Sequence, residues 1–290
     1  MNILITGSNG QLGNEMRVMS ASHPKHQYFF TDVLPGPDMT LLDITNREAV
    51  ASFVSAHAID LIVNCAAYTN VDKAEEDEVT ALKINAEALS VLGSQGIKVI
   101  HISTDYVFSG EAHLPYQETS PVAPKTVYGS SKLQGEKLLL AACPEAVILR
   151  TAWLYSSFGN NFVKTMIKLG RERKELGVVY DQIGTPTYAA DLAWAVFTVI
   201  ECPVWHPGIY HFTNEGVCSW YDFTLMIHGM ARITTCAVHP ILSKEYAYKT
   251  PRPHYSVLDK AKFKMTYGVT IPHWLVGLRR CMNILNSQTA

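Results

Sequence analysis

Asn2-Ile-Leu-Ile-Thr6 runs directly into Gly7-Ser-Asn-Gly10-Gln-Leu-Gly13. The aliphatic run reads as a buried strand, and residues 11–20 have helical spacing. Between them stand three glycines spaced by three. In a strand–turn–helix of this kind one glycine permits the tight turn and one lets the backbone approach a pyrophosphate. The third lets helix pack closely on strand. The helix N-terminus then offers unpaired N–H groups and positive partial charge to an anion. Glycine spacing alone is weak evidence; here the flanks are right at both ends. Asp32 closes the next β-rich run, 19 residues beyond Gly13. An acid there accepts hydrogen bonds from ribose hydroxyls and repels a 2′-phosphate. Gly7, Gly10, Gly13 and Asp32 are therefore candidate contacts to NADPH or NADH, with Asp32 favouring NADH.

Outward from this turn, β-rich runs at 2–6, 27–31, 60–64, 98–103 and 146–151 alternate with helical patterns at 11–20, 45–57, 77–95 and 128–142. Thr45, followed three residues later by Glu48, predicts a capping box. Strand–helix alternation at this length predicts βαβ units. The fold class is therefore α/β, a Rossmann-type doubly wound parallel sheet over 1–155. Beyond that point prolines and glycines interrupt the rhythm, with helical patterns at 158–173, 188–200, 220–231 and 273–285. Residues 156–290 are expected to form a smaller mixed α/β substrate domain, with some chain returning to the sheet.

Composition narrows the function. A chain of 290 residues with 48% hydrophobic residues can bury a full core. Its 24 basic and 26 acidic residues leave no surplus to neutralise phosphates, so no nucleic-acid partner is expected. No apolar run approaches the roughly 20 residues of a membrane span, and no signal peptide precedes the first strand. The six cysteines form no C-x-x-C pair and read as reduced, mostly buried thiols in a cytoplasmic protein.

Tyr128-Gly-Ser-Ser-Lys132 places a phenol and an ammonium four residues apart, on one face of a helix. A nearby cation is expected to lower the phenol's pKa and make it a usable proton donor or acceptor. The spacing carries little weight by itself in a chain with 14 tyrosines. Its position carries more: it follows the strand that ends at Ser103-Thr104, and ligands of open parallel sheets bind beyond the carboxyl ends of the strands. Thr104, Asp105 and the Tyr128 helix should share that crevice.

Further stretches extend the pattern. They are Asn64-Cys-Ala-Ala-Tyr-Thr-Asn-Val-Asp-Lys-Ala-Glu75, Ser103-Thr-Asp-Tyr-Val-Phe-Ser-Gly110, Tyr128-Gly-Ser-Ser-Lys-Leu-Gln-Gly-Glu136, Arg150-Thr-Ala-Trp153, Asp181-Gln-Ile-Gly-Thr-Pro-Thr187 and Arg252-Pro-His-Tyr-Ser-Val-Leu-Asp259. With the glycine turn, these resemble the extended short-chain dehydrogenase/reductase family over nearly the whole chain and in the family's order. The resemblance implies that Tyr128 donates the proton and that Lys132 holds the nicotinamide ribose and tunes the phenol. Thr104 would hydrogen-bond the keto oxygen. It further implies that Gly10, Gln11, Leu12, Asp32, Asp43, Ile44, Ala66, Ala67 and Tyr68 line the cofactor. Val71, Asp105 and Trp153 would meet a sugar nucleotide, and Arg252 is a candidate for its diphosphate, since an arginine fork suits phosphate oxygens. The implied reaction is NAD(P)H-dependent reduction of the 4-keto group of dTDP-4-dehydro-L-rhamnose, for surface polysaccharide, by a monomer or homodimer.

There are departures from the family pattern. Tyr68 stands where His is frequent, and Ser109 where Asp is common. Some relatives dimerise through magnesium held by C-terminal carboxylates, whereas residues 273–290 contain no Asp or Glu, so no metal is assigned. Two other functions remain open: another nucleotide-sugar reductase or epimerase on the same scaffold, and a non-catalytic cofactor-binding regulatory subunit. Related dehydratases carry an acid directly after the Thr-Asp pair, where this chain has Tyr106.

Overall fold

The computed structural model describes residues 1–247 and 249–288. At its centre is a seven-stranded, wholly parallel sheet. Six of its strands come from residues 1–151: β1 (Asn2–Thr6), β2 (Gln27–Asp32), β3 (Thr40–Leu41), β4 (Leu61–Asn64), β5 (Lys98–Thr104) and β6 (Val147–Thr151). The spatial order is β3-β2-β1-β4-β5-β6, extended past β6 by the strand Gly208–His211. The order reverses at β1, between β2 and β4, which opens the crevice that nucleotides use in such sheets.

Ile3, Leu4 and Ile5 are wholly buried, as are Ile62 and Val63, because helices cover both faces. On one face α1 (Gln11–Ser20) packs with the later helix Ala189–Glu201, and on the other lie α2 (Arg47–Ala56), α5 (Ala88–Gly93) and α6 (Val127–Ala142). A separate apolar cluster, including Tyr155, Phe223, Trp274 and Leu278, gathers the C-terminal helices. Among the described residues no helix is long and apolar enough to cross a membrane. All six cysteines are free; Cys65 and Cys202 are half-buried and the others buried.

Two local expectations are corrected. The cap of α2 is Asn46, whose side chain accepts from Ala49 N at 3.0 Å, and not Thr45. Thr45 instead donates its N–H and hydroxyl to Asp43 Oδ1, at 2.9 and 2.8 Å. After the short α3 (Val71–Glu76), the single helix expected over 77–95 is interrupted, running as α4 (Glu78–Leu82), a π-helical turn (Lys83–Glu87) and α5. The cause is Asn85. Its side chain closes a pair of bonds with the Tyr68 backbone, at 2.8 and 3.0 Å, and donates to Ser131 Oγ at 3.0 Å. A Cβ on Gly135 would stand 2.0 Å from Asn85 O, so α6 crosses the widened turn at glycine distance. Such π turns cluster at functional sites, and this one borders the cavity described next.

Candidate active site

A cavity of about 880 Å³ lies at the carboxyl ends of β1, β2, β4, β5 and β6. The glycine turn forms one end of it. Gly7 has φ +67°, and a Cβ there would fall 2.5 Å from Ala66 N. A side chain at Gly7 is thus excluded by conformation and by space. Gly10 caps α1 without a side-chain hydrogen bond, which leaves the first amides of the helix for an anion. Gly13 does not line the cavity. A Cβ on it would meet Gly7 O at 2.4 Å, so its role is the close packing of helix on turn. The Asp32 carboxylate is fixed by two backbone donors, Asn9 N at 3.0 Å and Leu34 N at 3.1 Å. Among the described residues lining the cavity, the cations are Lys83 and Lys132.

The helix α6 carries the reactive pair to the other end. Thr126 caps it through Gly129 N at 3.0 Å, and Glu75 Oε1 accepts from Val127 N at 2.8 Å. Glu75 belongs to the acidic run 75–78, which the sequence alone presents only as a charged helix start; a carboxylate at a helix N-terminus stabilises it. A Cβ on Gly129 would be 2.3 Å from Tyr106 O, which locks α6 against the turn after β5. The Tyr128 hydroxyl faces Thr104 and lies near Asp105. Thr104 Oγ1 donates to Asp105 Oδ1 at 3.0 Å and accepts from Tyr106 N at 3.2 Å. Burial pushes the Asp105 carboxyl up to about 7, against the hydrogen bond from Thr104.

The pKa expectation for Tyr128 is corrected. Burial, with the nearby Asp105 charge, pushes the phenol up to about 12. Lys132 is not placed to oppose this, because its Nζ donates to Ile102 O at 2.7 Å and touches His101 Nε2 at 3.1 Å. Lys132 itself is lowered to about 8 by burial, although the Glu136 charge acts in the other direction. A phenol with so high a pKa is protonated at neutral pH, which is the form that can give a proton away.

Below this pair the helix is anchored by charge. Arg150 on β6 grips Glu136 through Nε–Oε1 at 2.9 Å and Nη2–Oε2 at 2.6 Å, and Ser103 Oγ donates to Oε1 at 2.5 Å. Both charged side chains are buried. Opposite α6, Trp153 adopts φ +49°, a left-handed conformation that is uncommon outside glycine. Its indole stacks on Trp220 with centroids 3.4 Å apart, and a Cβ on Gly184 would lie 2.5 Å from its Cε2. Strain of this kind persists only where the surroundings enforce it.

Of the residues singled out in the sequence, Gly7, Gly10, Gln11, Leu12, Asp32, Asp43, Ile44, Ala66, Ala67, Val71, Thr104, Asp105, Tyr128, Lys132 and Trp153 line this one cavity. Tyr68 does not; its backbone is held by Asn85 instead. Arg252 also lies outside it, lining adjoining recesses of about 600 and 200 Å³ while Nη2 donates to Asp72 Oδ2 at 2.8 Å. Lining residues that the sequence reading missed include Cys65, Lys83, Tyr106, Asn160 and Asn161. The last two follow β6, where the rhythm of the chain loosens, and carry no motif that would have marked them.

A family model described as RmlD substrate binding domain matches residues 1–287. The chain belongs to this family. It is 40% identical over 304 aligned positions to the dTDP-4-dehydrorhamnose reductase of Escherichia coli K12, with both chains covered completely. The crystal structure of a dTDP-4-dehydrorhamnose reductase from Clostridium acetobutylicum superposes with a TM-score of 0.92 at 42% identity, covering 99% of this chain and 100% of that one. The Bacillus anthracis dTDP-4-dehydrorhamnose reductase, solved in complex with NADP, gives 0.91 at 37% identity, covering 98% and 99%. This RmlD-family chain thus matches named reductases from end to end.

Proposed function

We propose that this chain is an NAD(P)H-dependent reductase of the 4-keto group of dTDP-4-dehydro-L-rhamnose, giving dTDP-L-rhamnose for surface polysaccharide, and that it works in the cytoplasm. The observation that carries the reading is the convergence of Thr104, Tyr128 and Lys132 on the cavity floored by the glycine turn, in a chain so closely matched to reductases. The cradle fits a dinucleotide: Gly7 and Gly13 leave no room for a Cβ, and the α1 amides lack a side-chain cap. Gly10, Gln11 and Leu12 would hold the pyrophosphate, with Asp32 on the adenine ribose and Lys132 on the nicotinamide ribose.

When bound, the reduced nicotinamide supplies the hydride. The Tyr128 hydroxyl orients the keto oxygen, joined by the Thr104 hydroxyl when its proton turns from Asp105 to the substrate, and the phenol releases its proton to that oxygen as negative charge develops there. The Thr104–Asp105 bond fixes the threonine rotamer. Trp153, clamped between Trp220 and Gly184, forms a wall for the sugar nucleotide. We assign residues 1–155 mainly to cofactor binding and 156–290 mainly to the substrate.

A panel of dTDP-, UDP- and GDP-linked 4-keto sugars tests the reading: turnover should be highest with the dTDP-linked 4-dehydro sugar. Equal or greater turnover of UDP- or GDP-linked sugars contradicts it. The fixed Asp32 carboxylate further sets cofactor choice. NADH should show a KM lower than NADPH by about tenfold, and Asp32→Ser should reduce the gap to about threefold or less by removing the charge that repels a 2′-phosphate. An unchanged ratio in the variant would remove Asp32 from that role.

A further inference from the structure

A polar chain runs from beneath the cavity floor up to Lys132, through Thr6, Asn64 and His101, which the mechanism above does not use. Thr6 Oγ1 donates to Asn64 Oδ1 at 2.6 Å, and Ala66 N donates to the same oxygen at 3.3 Å. A backbone N–H can only donate, so Asn64 presents its oxygen to Ala66 and its Nδ2 to His101. Asn64 Nδ2 stands 3.0 Å from His101 Nδ1, and His101 Nε2 stands 3.1 Å from Lys132 Nζ. Asn64, His101 and Lys132 are all essentially inaccessible to solvent. A neutral imidazole has one donor and one acceptor nitrogen. With Nδ1 accepting from Asn64, the ring proton resides on Nε2 and is directed at Lys132 Nζ. An N–H aimed at that nitrogen favours the amine, which offers a lone pair, over the ammonium, which does not.

We infer that His101 is a positioning residue for Lys132, which it holds from beneath the cavity and biases toward the neutral amine. The groups around the amine agree with this. From β5 it faces His101 and Ile102 O. On its own helix it faces Glu136, whose charge is engaged by Arg150 from β6. Asp105, beyond the end of β5, acts on Tyr128. His101 is held well below the ordinary histidine range by burial and by Lys132, so it remains neutral throughout. Lys132, at about 8, is then the group that changes charge near working pH.

The inference rests on reading Lys132 as the contact to the nicotinamide ribose. Its test needs no sugar substrate, so failure of the substrate assignment leaves it intact. The dissociation constant of NADH is measured by cofactor fluorescence from about pH 6.5 to about 9.5. In the unaltered protein, affinity should weaken as pH rises through about 8, as the ammonium is lost. Lys132→Met should make the curve flat. His101→Gln offers Nζ an accepting carbonyl and should move the break up by about one pH unit, so that at high pH the variant binds NADH roughly fivefold more tightly than the parent. Where that variant does not fold, as judged by circular dichroism, His101→Asn removes the same N–H with a shorter side chain and should shift the break in the same direction. A break at the parental pH in whichever variant folds overturns the inference, and so does a flat curve for the unaltered protein.

Discussion

Tyr128→Phe should lower kcat by about 10²–10⁴-fold while leaving NADH affinity within about threefold of the parent, the range expected when a positioned proton donor is lost. The substitution removes the hydroxyl that faces Thr104 and retains the ring, which meets Tyr106 edge-on with centroids 5.4 Å apart. Packing and cofactor binding should therefore survive, and the loss should fall on kcat and kcat/KM alike, the mark of an interaction made in the transition state. Because the phenol stands at about 12, it remains protonated across the working range. Activity should accordingly show no ionisation of Tyr128 below pH 9. Steady-state kinetics of the variant decide the matter; a kcat within about threefold of the parent would remove Tyr128 from proton transfer.

The second large effect concerns stability. Glu136→Leu should destabilise the fold by about 3–5 kcal/mol, because it leaves the Arg150 guanidinium buried without its counter-charge. Arg150 has little other recourse: it is 2% exposed and sits over the Phe108 ring at 5.1 Å. The double variant Glu136→Leu, Arg150→Met should recover much of that loss, since no isolated charge then remains in the core. Because Ser103 and Arg150 tie α6 to β5 and β6 through Glu136, the single variant should also lose activity by loosening Tyr128 and Lys132. Urea unfolding of the three proteins measures the effect. A single-variant loss below about 1 kcal/mol would show that the pair is not what anchors the helix.

Most of the sheet was readable because three of its strands, β1, β4 and β6, are buried on both faces and carry continuous aliphatic runs, whereas the short exposed β3 was missed; α1 falls on Gln11–Ser20, the same limits that its spacing predicts. What escaped the sequence depends on contacts between distant segments. The strand Gly208–His211 follows two prolines and contains Tyr210 and His211, so nothing local marks it. It exists because it pairs with β6, some 60 residues earlier, in the register Gly208 to Val147. Trp153 was marked by the family resemblance, whereas Trp220 looks like an ordinary core aromatic in sequence, yet the two stack on each other beside the cavity. His101 reads as a polar interruption of a strand. Only the fold brings it between Asn64 and Lys132. The Tyr128 pKa expectation failed for a related reason: spacing gives the distance along a helix but neither the burial of the phenol nor the turning of Lys132 Nζ toward Ile102 O and His101.

The central claim is net reduction of a nucleotide-linked ketone. It is tested most directly by counting reduced nicotinamide consumed against sugar product formed, with dTDP-4-dehydro-L-rhamnose in excess over enzyme. One cofactor oxidised for each dTDP-L-rhamnose formed, over many turnovers, is the expected result. Isomerised sugar without net cofactor consumption, or cofactor that binds but is never oxidised, would contradict it.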